Sequence, residues 1–335
     1  MADKLMRAAL VIEEAGSKRI EIQDIARPTP GPGEVLVRVR AAGLNRADLA
    51  MNVGHFRSAG VELGAPVPGV EFAGEVVEVG PEVKGVAVGD RVMAMGQGAF
   101  AEYTKIHHRL VIRVPASLDF TRAATAPVAL MTAHDALITR AGLRPGESVL
   151  IQAATSGVGI LAAQIARRRG ARVVLGTSGS PDKLERLMAM GVGPDVGICT
   201  ASESTVDKVM AATGGKGADV IIDMVGASCL NDNLSAAALK GRIVGVGRMG
   251  GRHAQFDLDF VALRRITMIG VTFRTRTLDE VADVASAMSS DLLAEVDSGA
   301  IHWPIDCSFP LEQTAEAYAT MRSNSHAGKI ALLMG

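Results

Sequence analysis

Gly157, Gly159 and Ala162 form a G-x-G-x-x-A pattern inside Val149-Leu-Ile-Gln-Ala-Ala-Thr-Ser-Gly-Val-Gly-Ile-Leu-Ala162. Alone, such a triplet is weak. It gains meaning because it follows an apolar run that reads as a strand and opens one that reads as a helix. In that setting Gly157 permits a tight turn, Gly159 lets the backbone approach a pyrophosphate, and Ala162 lets the helix pack on the strand. Ser156 and Val158 share the turn, and the helix N-terminus presents N–H groups and a positive dipole end to phosphates. The bland alternative is a strand-to-helix turn with incidental glycines.

A turn of this kind that reads NAD carries Asp or Glu about 20 residues on, against the ribose 2′-hydroxyl. Here that window holds Gly176, Thr177, Ser178, Gly179 and Ser180. No carboxylate repels a 2′-phosphate, the hydroxyls of Thr177 and Ser178 can donate to one, and Lys183 follows one helical turn later. Charge logic therefore favours NADPH over NADH. Arg186 lies further on, where a solvated helix face is the commoner role. Gly245, Val246 and Gly247 end a strand at the expected carboxyl edge of the sheet, where nicotinamide lies.

These residues need a parallel sheet beneath them, and the second part of the chain is patterned for one. Strands are expected at Ser148–Ala153, Arg172–Gly176, Val220–Asp223 and Arg242–Val246. Helices are expected at Val158–Arg169, at Pro181–Met190 and near Ser204–Ala212, which is βαβ alternation. A helix from Ala123 to Ala141, capped by Thr121 and stopped by Gly142, precedes them. The first third reads differently. Glu34-Val-Leu-Val-Arg-Val-Arg40 alternates apolar and charged residues, and Gly74–Gly80, Arg91–Ala94 and Phe100–Thr104 follow as short strands between Gly/Pro turns, the pattern of a compact β-barrel-like module. Near the end, Thr277 with Glu280 forms a capping-box start for a helix, and the apolar stretch Lys329–Met334 returns to the first domain.

Bulk properties exclude several classes. The 335 residues suggest two domains, at about 100–200 residues each. With 48% hydrophobic and 21% charged residues the chain can bury real cores. A formal net charge of −1 and 3% aromatics argue against a nucleic-acid surface or an anionic membrane partner. Cys199, Cys229 and Cys307 make neither a disulfide framework nor a CxxC metal site. No signal-peptide pattern opens the chain and the longest uncharged apolar stretch, Ala123–Ala133, falls short of the ~20 residues a bilayer needs, so a cytoplasmic location is expected.

Gly69-Val-Glu-Phe-Ala-Gly-Glu-Val-Val-Glu-Val-Gly80 with Val88-Gly-Asp-Arg-Val92 resembles the signature of the medium-chain dehydrogenase/reductase superfamily, which reads G-H-E in its zinc alcohol dehydrogenases. Ala42-Gly-Leu-Asn-Arg-Ala-Asp48 is similar to the superfamily's A-x-x-x-N-x-x-D segment. Phe273-Arg-Thr-Arg276 and Ala327-Gly-Lys-Ile330 resemble its zinc-independent, zeta-crystallin-like NADPH:quinone oxidoreductases. The resemblance covers nearly the whole chain. It implies an α/β protein with a GroES-like β-barrel-type catalytic domain over 1–125, completed by about 266–335. A Rossmann doubly wound parallel-sheet domain would span 126–265, and dimers would form through the Rossmann sheet.

The same resemblance bears on metal and catalysis. Where zinc relatives carry their first Cys this chain has Asn45, and where they carry His it has Val70. The third ligand position falls in Thr125–Leu130, which holds no Cys or His, and only Met95–Gly98 stands where a structural-zinc lobe would be. No metal is expected. Without a Lewis acid, a quinone or an α,β-unsaturated carbonyl is the easier acceptor, because conjugation spreads the developing charge.

The resemblance places Asn45 against nicotinamide and acceptor, where its amide can donate to a developing enolate oxygen; the plain alternative is a turn residue. Asp48 and Glu71 match carboxylates behind the zinc of relatives and are expected in structural salt bridges. Thr132 fits a family threonine near the nicotinamide, and Phe273, Arg274 and Asn324 are further cofactor-side candidates. Two departures stand out. Phe56 occupies the place of a family Tyr and has no proton to give, which leaves neighbouring His55 or solvent as donor. Thr200 replaces a Tyr that stacks on the adenosine phosphate in relatives. The expected activity is NADPH-dependent reduction of a quinone or enone. The alternatives are a 2-enoyl thioester reductase and a non-catalytic, crystallin-like NADPH-binding protein.

Overall fold

The computed structural model describes residues 4–14, 16–50 and 67–335. The chain opens with strands β1 (Leu5–Glu14), β2 (Ser17–Ala26), β3 (Glu34–Leu44), β4 (Glu71–Val79), β5 (Arg91–Met95), β6 (Tyr103–His107) and β7 (Ile112–Arg113). Helices α1 (Phe120–Ala124) and α2 (Pro127–His134) follow, the latter continued by a π-helical segment over Asp135–Arg140. Alternation then sets in with β8 (Ser148–Ile151), α3 (Gly157–Arg168), β9 (Val173–Ser178), α4 (Pro181–Ala189), β10 (Val196–Cys199) and α5 (Thr205–Ala212). It continues through β11 (Ala218–Asp223), α6 (Leu230–Ala236), β12 (Ala237–Gly245), α7 (Leu258–Arg264) and β13 (Thr267–Gly270). The chain closes with α8 (Leu278–Asp297), β14 (Ile305–Pro310), α9 (Thr314–Ser323) and β15 (Lys329–Leu333).

Two compact units result: Met1–Val128 with Phe273–Ala300 and Pro304–Gly335, and Ala129–Thr272 with Ile301–Trp303. In the first, a sheet runs β14-β15-β3-β4-β5-β7, with β6 also on β3. Strand β3 is its hub, antiparallel to β15, β4 and β6. Val35, Leu36 and Val37 are all fully buried, so β3 is covered on both faces rather than half-buried as its alternation suggests. At its two ends Glu34 pairs with Lys105 at 2.9 Å and Arg40 with Glu75 at 2.8 Å. The β1–β2 hairpin, in register from Leu5↔Ala26 to Glu14↔Ser17, packs its own small core of Met6, Ala8, Leu10, Val67 and Ala101.

In the second unit six strands are ordered β10-β9-β8-β11-β12-β13, and every pairing is parallel. That is the 3-2-1-4-5-6 order of a doubly wound sheet, whose ligands bind at the carboxyl ends where the order reverses, here between β8 and β11. Leu150, Leu175, Ile221 and Ile243 from successive strands share one buried cluster with Val209, Leu234 and Ile266.

Some local expectations change. The single helix over Ala123–Ala141 is broken into α1 and α2, because Pro127 supplies no N–H and disfavours a helical Ala126 before it. The cap of α1 is Asp119, whose Oδ1 accepts from Arg122 N at 2.7 Å, not Thr121. The strand expected at Phe100–Thr104 forms at Tyr103–His107, while the Phe100 ring is buried edge-on to Tyr318 at 6.3 Å. The Thr277–Glu280 capping box is present at α8. Among the described residues no helix is long and apolar enough to cross a membrane.

Candidate functional site

In the parallel-sheet unit, the turn from β8 to α3 carries the glycine pattern. Ser156 caps the helix, its Oγ accepting from Gly159 N at 3.1 Å. Gly157 is the first residue of α3, and the left-handed residue of the turn is Ala153 (φ 54), so the role expected of Gly157 falls to Ala153. A Cβ on Gly159 would stand 2.7 Å from both Ala153 O and Ala154 Cα. The close approach this glycine allows is therefore to the chain's own loop. Val158 is half-buried beside it, and Ala162 is fully buried against the sheet.

At the carboxyl end of β9 the two expected hydroxyls part company. Thr177 is buried, its Oγ1 donating to Gln152 Oε1 at 2.6 Å and accepting from Ala153 N at 3.2 Å. This corrects the reading of Thr177 as a phosphate donor, because its hydroxyl is spent inside the core. Ser178 Oγ lies 3.3 Å from Thr155 Oγ1, in the turn after β8, and accepts from Ser180 N at 3.1 Å. Ser180 caps α4, and Lys183, half-buried in its first turn, gives its backbone N–H to that cap. Thr200 is exposed at the end of the neighbouring strand, its N–H on Ser178 O at 3.0 Å. Ser178, Lys183 and Thr200 thus gather around one loop.

Gly245, Val246 and Gly247 lie half-buried at the end of β12, with Val246 N and Gly247 N both on Asp223 O at 2.7 and 3.1 Å. A Cβ on Gly247 would fall 2.3 Å from Met224 O, so only glycine lets these strand ends close up. Asp223 Oδ1 in turn accepts from Val225 N and Gly226 N at 2.7 and 2.9 Å. Burial next to that carboxylate pushes the Cys229 thiol up to about 12, so it stays protonated. Thr132 is buried within α2 in the same unit.

In the antiparallel unit, Asn45 stands just past β3 with its amide engaged at both ends. Nδ2 donates to Glu71 Oε1 at 2.8 Å, and Oδ1 accepts from Lys329 Nζ at 2.8 Å. Lys329 Nζ also reaches Glu71 Oε1 at 2.7 Å, with side-chain exposures of 5% and 0%. Glu71 Oε2 accepts from Val128 N at 2.9 Å. Asp48 accepts Asn45 N at 2.7 Å; burial, with the Glu71 charge adding to it, raises its carboxyl to about 7. Glu71 is in the expected salt bridge, whereas Asp48 acts as a backbone cap.

The remaining candidates of this unit lie elsewhere. Asn324 is the left-handed cap (φ 53) that ends α9, its Oδ1 accepting from Arg46 Nη2 at 2.6 Å. Phe273 is buried with the Arg276 guanidinium 4.7 Å from its ring centre, while Arg274 is exposed. His55 and Phe56 fall outside the described residues. Sequence reasoning missed Lys329 as a member of the Asn45 cluster; its signals were the Ala327-Gly-Lys-Ile330 ending and a lone lysine opening an apolar run.

A family model described as "Alcohol dehydrogenase GroES-like domain" matches residues 31–116, and one described as "Zinc-binding dehydrogenase" matches 157–290. A quinone oxidoreductase of Pongo abelii is 33% identical over 336 residues, covering 99% of this chain and 98% of the relative. The crystal structure of an alcohol dehydrogenase superfamily protein from Novosphingobium aromaticivorans superposes with a TM-score of 0.84 at 31% identity, covering 98% of this chain and 100% of that one. That of the CurK enoyl reductase gives a TM-score of 0.81 at 25% identity, over 98% and 99% of the two chains. With a GroES-like unit, a doubly wound parallel sheet and a full-length likeness above 30% identity, the chain belongs to the quinone oxidoreductase family of the medium-chain dehydrogenase/reductase superfamily.

Proposed function

We propose that the chain is an NADPH-dependent reductase that transfers a hydride to a quinone or an α,β-unsaturated carbonyl compound without zinc, acting in the cytoplasm as a homodimer. The family supports the coarser part, an oxidoreductase using a nicotinamide cofactor. The observation that carries the finer part is the buried Lys329 ammonium on Asn45 and Glu71. One matching family model is described by zinc, but the donor set does not fit that metal: Asn45 and Val70 replace thiolate and imidazole, and an ammonium already compensates the carboxylate. Among the described residues no three His, Cys, Asp or Glu side chains converge as a metal site.

In this reading Ser156, Gly157, Val158 and Gly159 hold the pyrophosphate, while Ser178, Lys183 and Thr200 meet the adenosine ribose phosphate. Gly245, Val246 and Gly247 would border the nicotinamide, with Thr132. The cofactor supplies the hydride. Asn45 Nδ2 donates to the acceptor's oxygen as charge develops there, and no residue of the cluster is asked to polarise an isolated ketone. The CurK likeness supports a second reading, reduction of a 2-enoyl thioester.

The test is NADPH and NADH oxidation measured with small quinones, enones and a crotonyl thioester, before and after chelation. Turnover of a quinone or enone with NADPH that survives the chelator is expected. A stoichiometric zinc whose removal abolishes activity, or turnover of the thioester alone, overturns the proposal.

A further inference from the structure

We propose that Lys329 is a positioning residue for catalysis, holding the Asn45 amide in one of its two orientations so that a single N–H faces the acceptor's oxygen; this rests on Asn45 being the donor to that oxygen. The placement follows from the sheet. Strand β15 pairs with β3 so that Ile330 stands opposite Leu44, which brings Lys329 to the level of Asn45. On the other side of β3, β4 pairs Phe72 with Ala42 and delivers Glu71 to the same end. Residues far apart in the chain thus converge at one corner, and no solvent reaches the carboxylate they share.

The amide's orientation is then decided by chemistry. An ammonium has only donors and a carboxylate only acceptors. Oδ1 must therefore face Lys329 at 2.8 Å, and one Nδ2 hydrogen must face Glu71 at 2.8 Å. Turning the amide over would set donor against donor and acceptor against acceptor. Among the described residues the second Nδ2 hydrogen meets only Gly43 O at 3.5 Å, the outer limit of a hydrogen bond, so it is the one we assign to a ligand. Asn45 N on Asp48 at 2.7 Å fixes the backbone from which the amide projects. The ammonium on Oδ1 also draws electron density from the amide and strengthens the remaining N–H as a donor.

If Lys329 were only a counter-ion to Glu71, any change that leaves the pair balanced would preserve activity. The experiment compares Lys329→Met, Lys329→Arg, the double variant Lys329→Met/Glu71→Gln, and Asn45→Ala with and without Lys329→Met. The readouts are kcat and KM for an enone, NADPH affinity by fluorescence, and thermal unfolding. Lys329→Met should lower kcat about tenfold or more, the range for a mis-set oxyanion donor, with NADPH affinity nearly unchanged. Lys329→Arg should recover most of that loss. The double variant, which leaves no unpaired buried charge, should regain stability but not kcat. In the Asn45→Ala background, Lys329→Met should add no further loss of kcat, because residues acting through one another are not additive. A folded double variant with full kcat overturns the proposal, and so do additive losses in the Asn45→Ala background. Full kcat in Asn45→Ala alone overturns both this proposal and the reading of Asn45 beneath it.

Discussion

Asn233 Oδ1 accepts a 2.6 Å hydrogen bond from Gln152 Nε2 in the interior of the parallel-sheet unit. The contact is the middle of a relay: Thr177 Oγ1 to Gln152 Oε1 at 2.6 Å on one side, Asn233 Nδ2 to Asp223 Oδ2 at 3.1 Å on the other. It ties the end of β9, the turn after β8, helix α6 and the end of β11 into one polar framework beneath the proposed cofactor site. Asn233→Leu would leave Gln152 Nε2 and Asp223 Oδ2 short of partners. At about 1–3 kcal/mol for each of these two unsatisfied buried groups, the loss should be about 2–6 kcal/mol. Chemical denaturation measures it, and a loss below about 0.5 kcal/mol would show the relay to be dispensable.

Asp48 predicts a pH signature. Its folded carboxyl is raised from 3.8 to about 7, so between those values the native state holds a proton that the unfolded chain has released. Stability then falls as pH rises through that window and levels off above about 7. Asp48→Asn keeps an oxygen for Asn45 N and removes the charge. Relative to wild type it should gain stability progressively from about pH 4 to 7, by about 4 kcal/mol at most. Denaturation across that range checks the sign, and a variant equally offset at every pH counts against it.

In the proposed NADPH site the preference would rest more on Lys183 than the sequence suggests, because the Thr177 hydroxyl is turned inward. A charge-assisted contact to a 2′-phosphate is worth about 1.5–3 kcal/mol. Lys183→Ala should weaken NADPH binding by roughly one to two powers of ten and leave NADH almost unchanged. Fluorescence titration with both cofactors decides it; equal losses would mean that Lys183 acts through the fold of α4.

What the sequence revealed and what it hid follow from the range of the interactions. The Gly157–Ala162 pattern, the Thr277 cap and the βαβ alternation are set by neighbours a few residues away, so residue type and period suffice. Lys329 meets Glu71 across 258 residues and Asn45 across 284, and only strand pairing could expose that contact. Thr177 shows a different limit. Its type and place in the loop are legible, but whether the hydroxyl faces out or in depends on Gln152, whose own partner, Asn233, lies on another helix. The interrupted helix before Thr132 was legible in principle, since Pro127 stands in plain view.

The proposed homodimer would form along the edge of the parallel sheet. Strand β13 ends the parallel sheet, and beside it Leu258, Leu263 and Met268 are 72%, 76% and 49% exposed. An unpaired edge with apolar side chains around it is a template for another strand, and continuing the sheet into a second copy covers both. Leu263→Asp combined with Met268→Asp should shift the protein from dimer to monomer in light scattering. A wild-type monomer at working concentrations would remove the dimer from the proposal.

Catalysis at Asn45 is tested by how its loss depends on the acceptor. If the second Nδ2 hydrogen stabilises a developing oxyanion, Asn45→Ala removes an interaction that grows as charge builds, so kcat and kcat/KM fall together while NADPH affinity changes little. One lost oxyanion donor costs about 2.7–4 kcal/mol in ordered sites, but a conjugated acceptor carries part of the charge itself. The loss should be about ten- to a hundred-fold with an enone and smaller with a quinone, whose second carbonyl spreads the charge further. Phe56→Tyr is the companion variant: it restores a hydroxyl that can give a proton, so it should raise enone turnover more than quinone turnover. Glu71 and Lys329 remain paired in Asn45→Ala at 2.7 Å, so the variant should stay folded and its kinetics report on the amide alone. An equal loss on every acceptor would point to a shift of the Asp48–Asn45 turn, and no loss on any would make Asn45 a structural residue only.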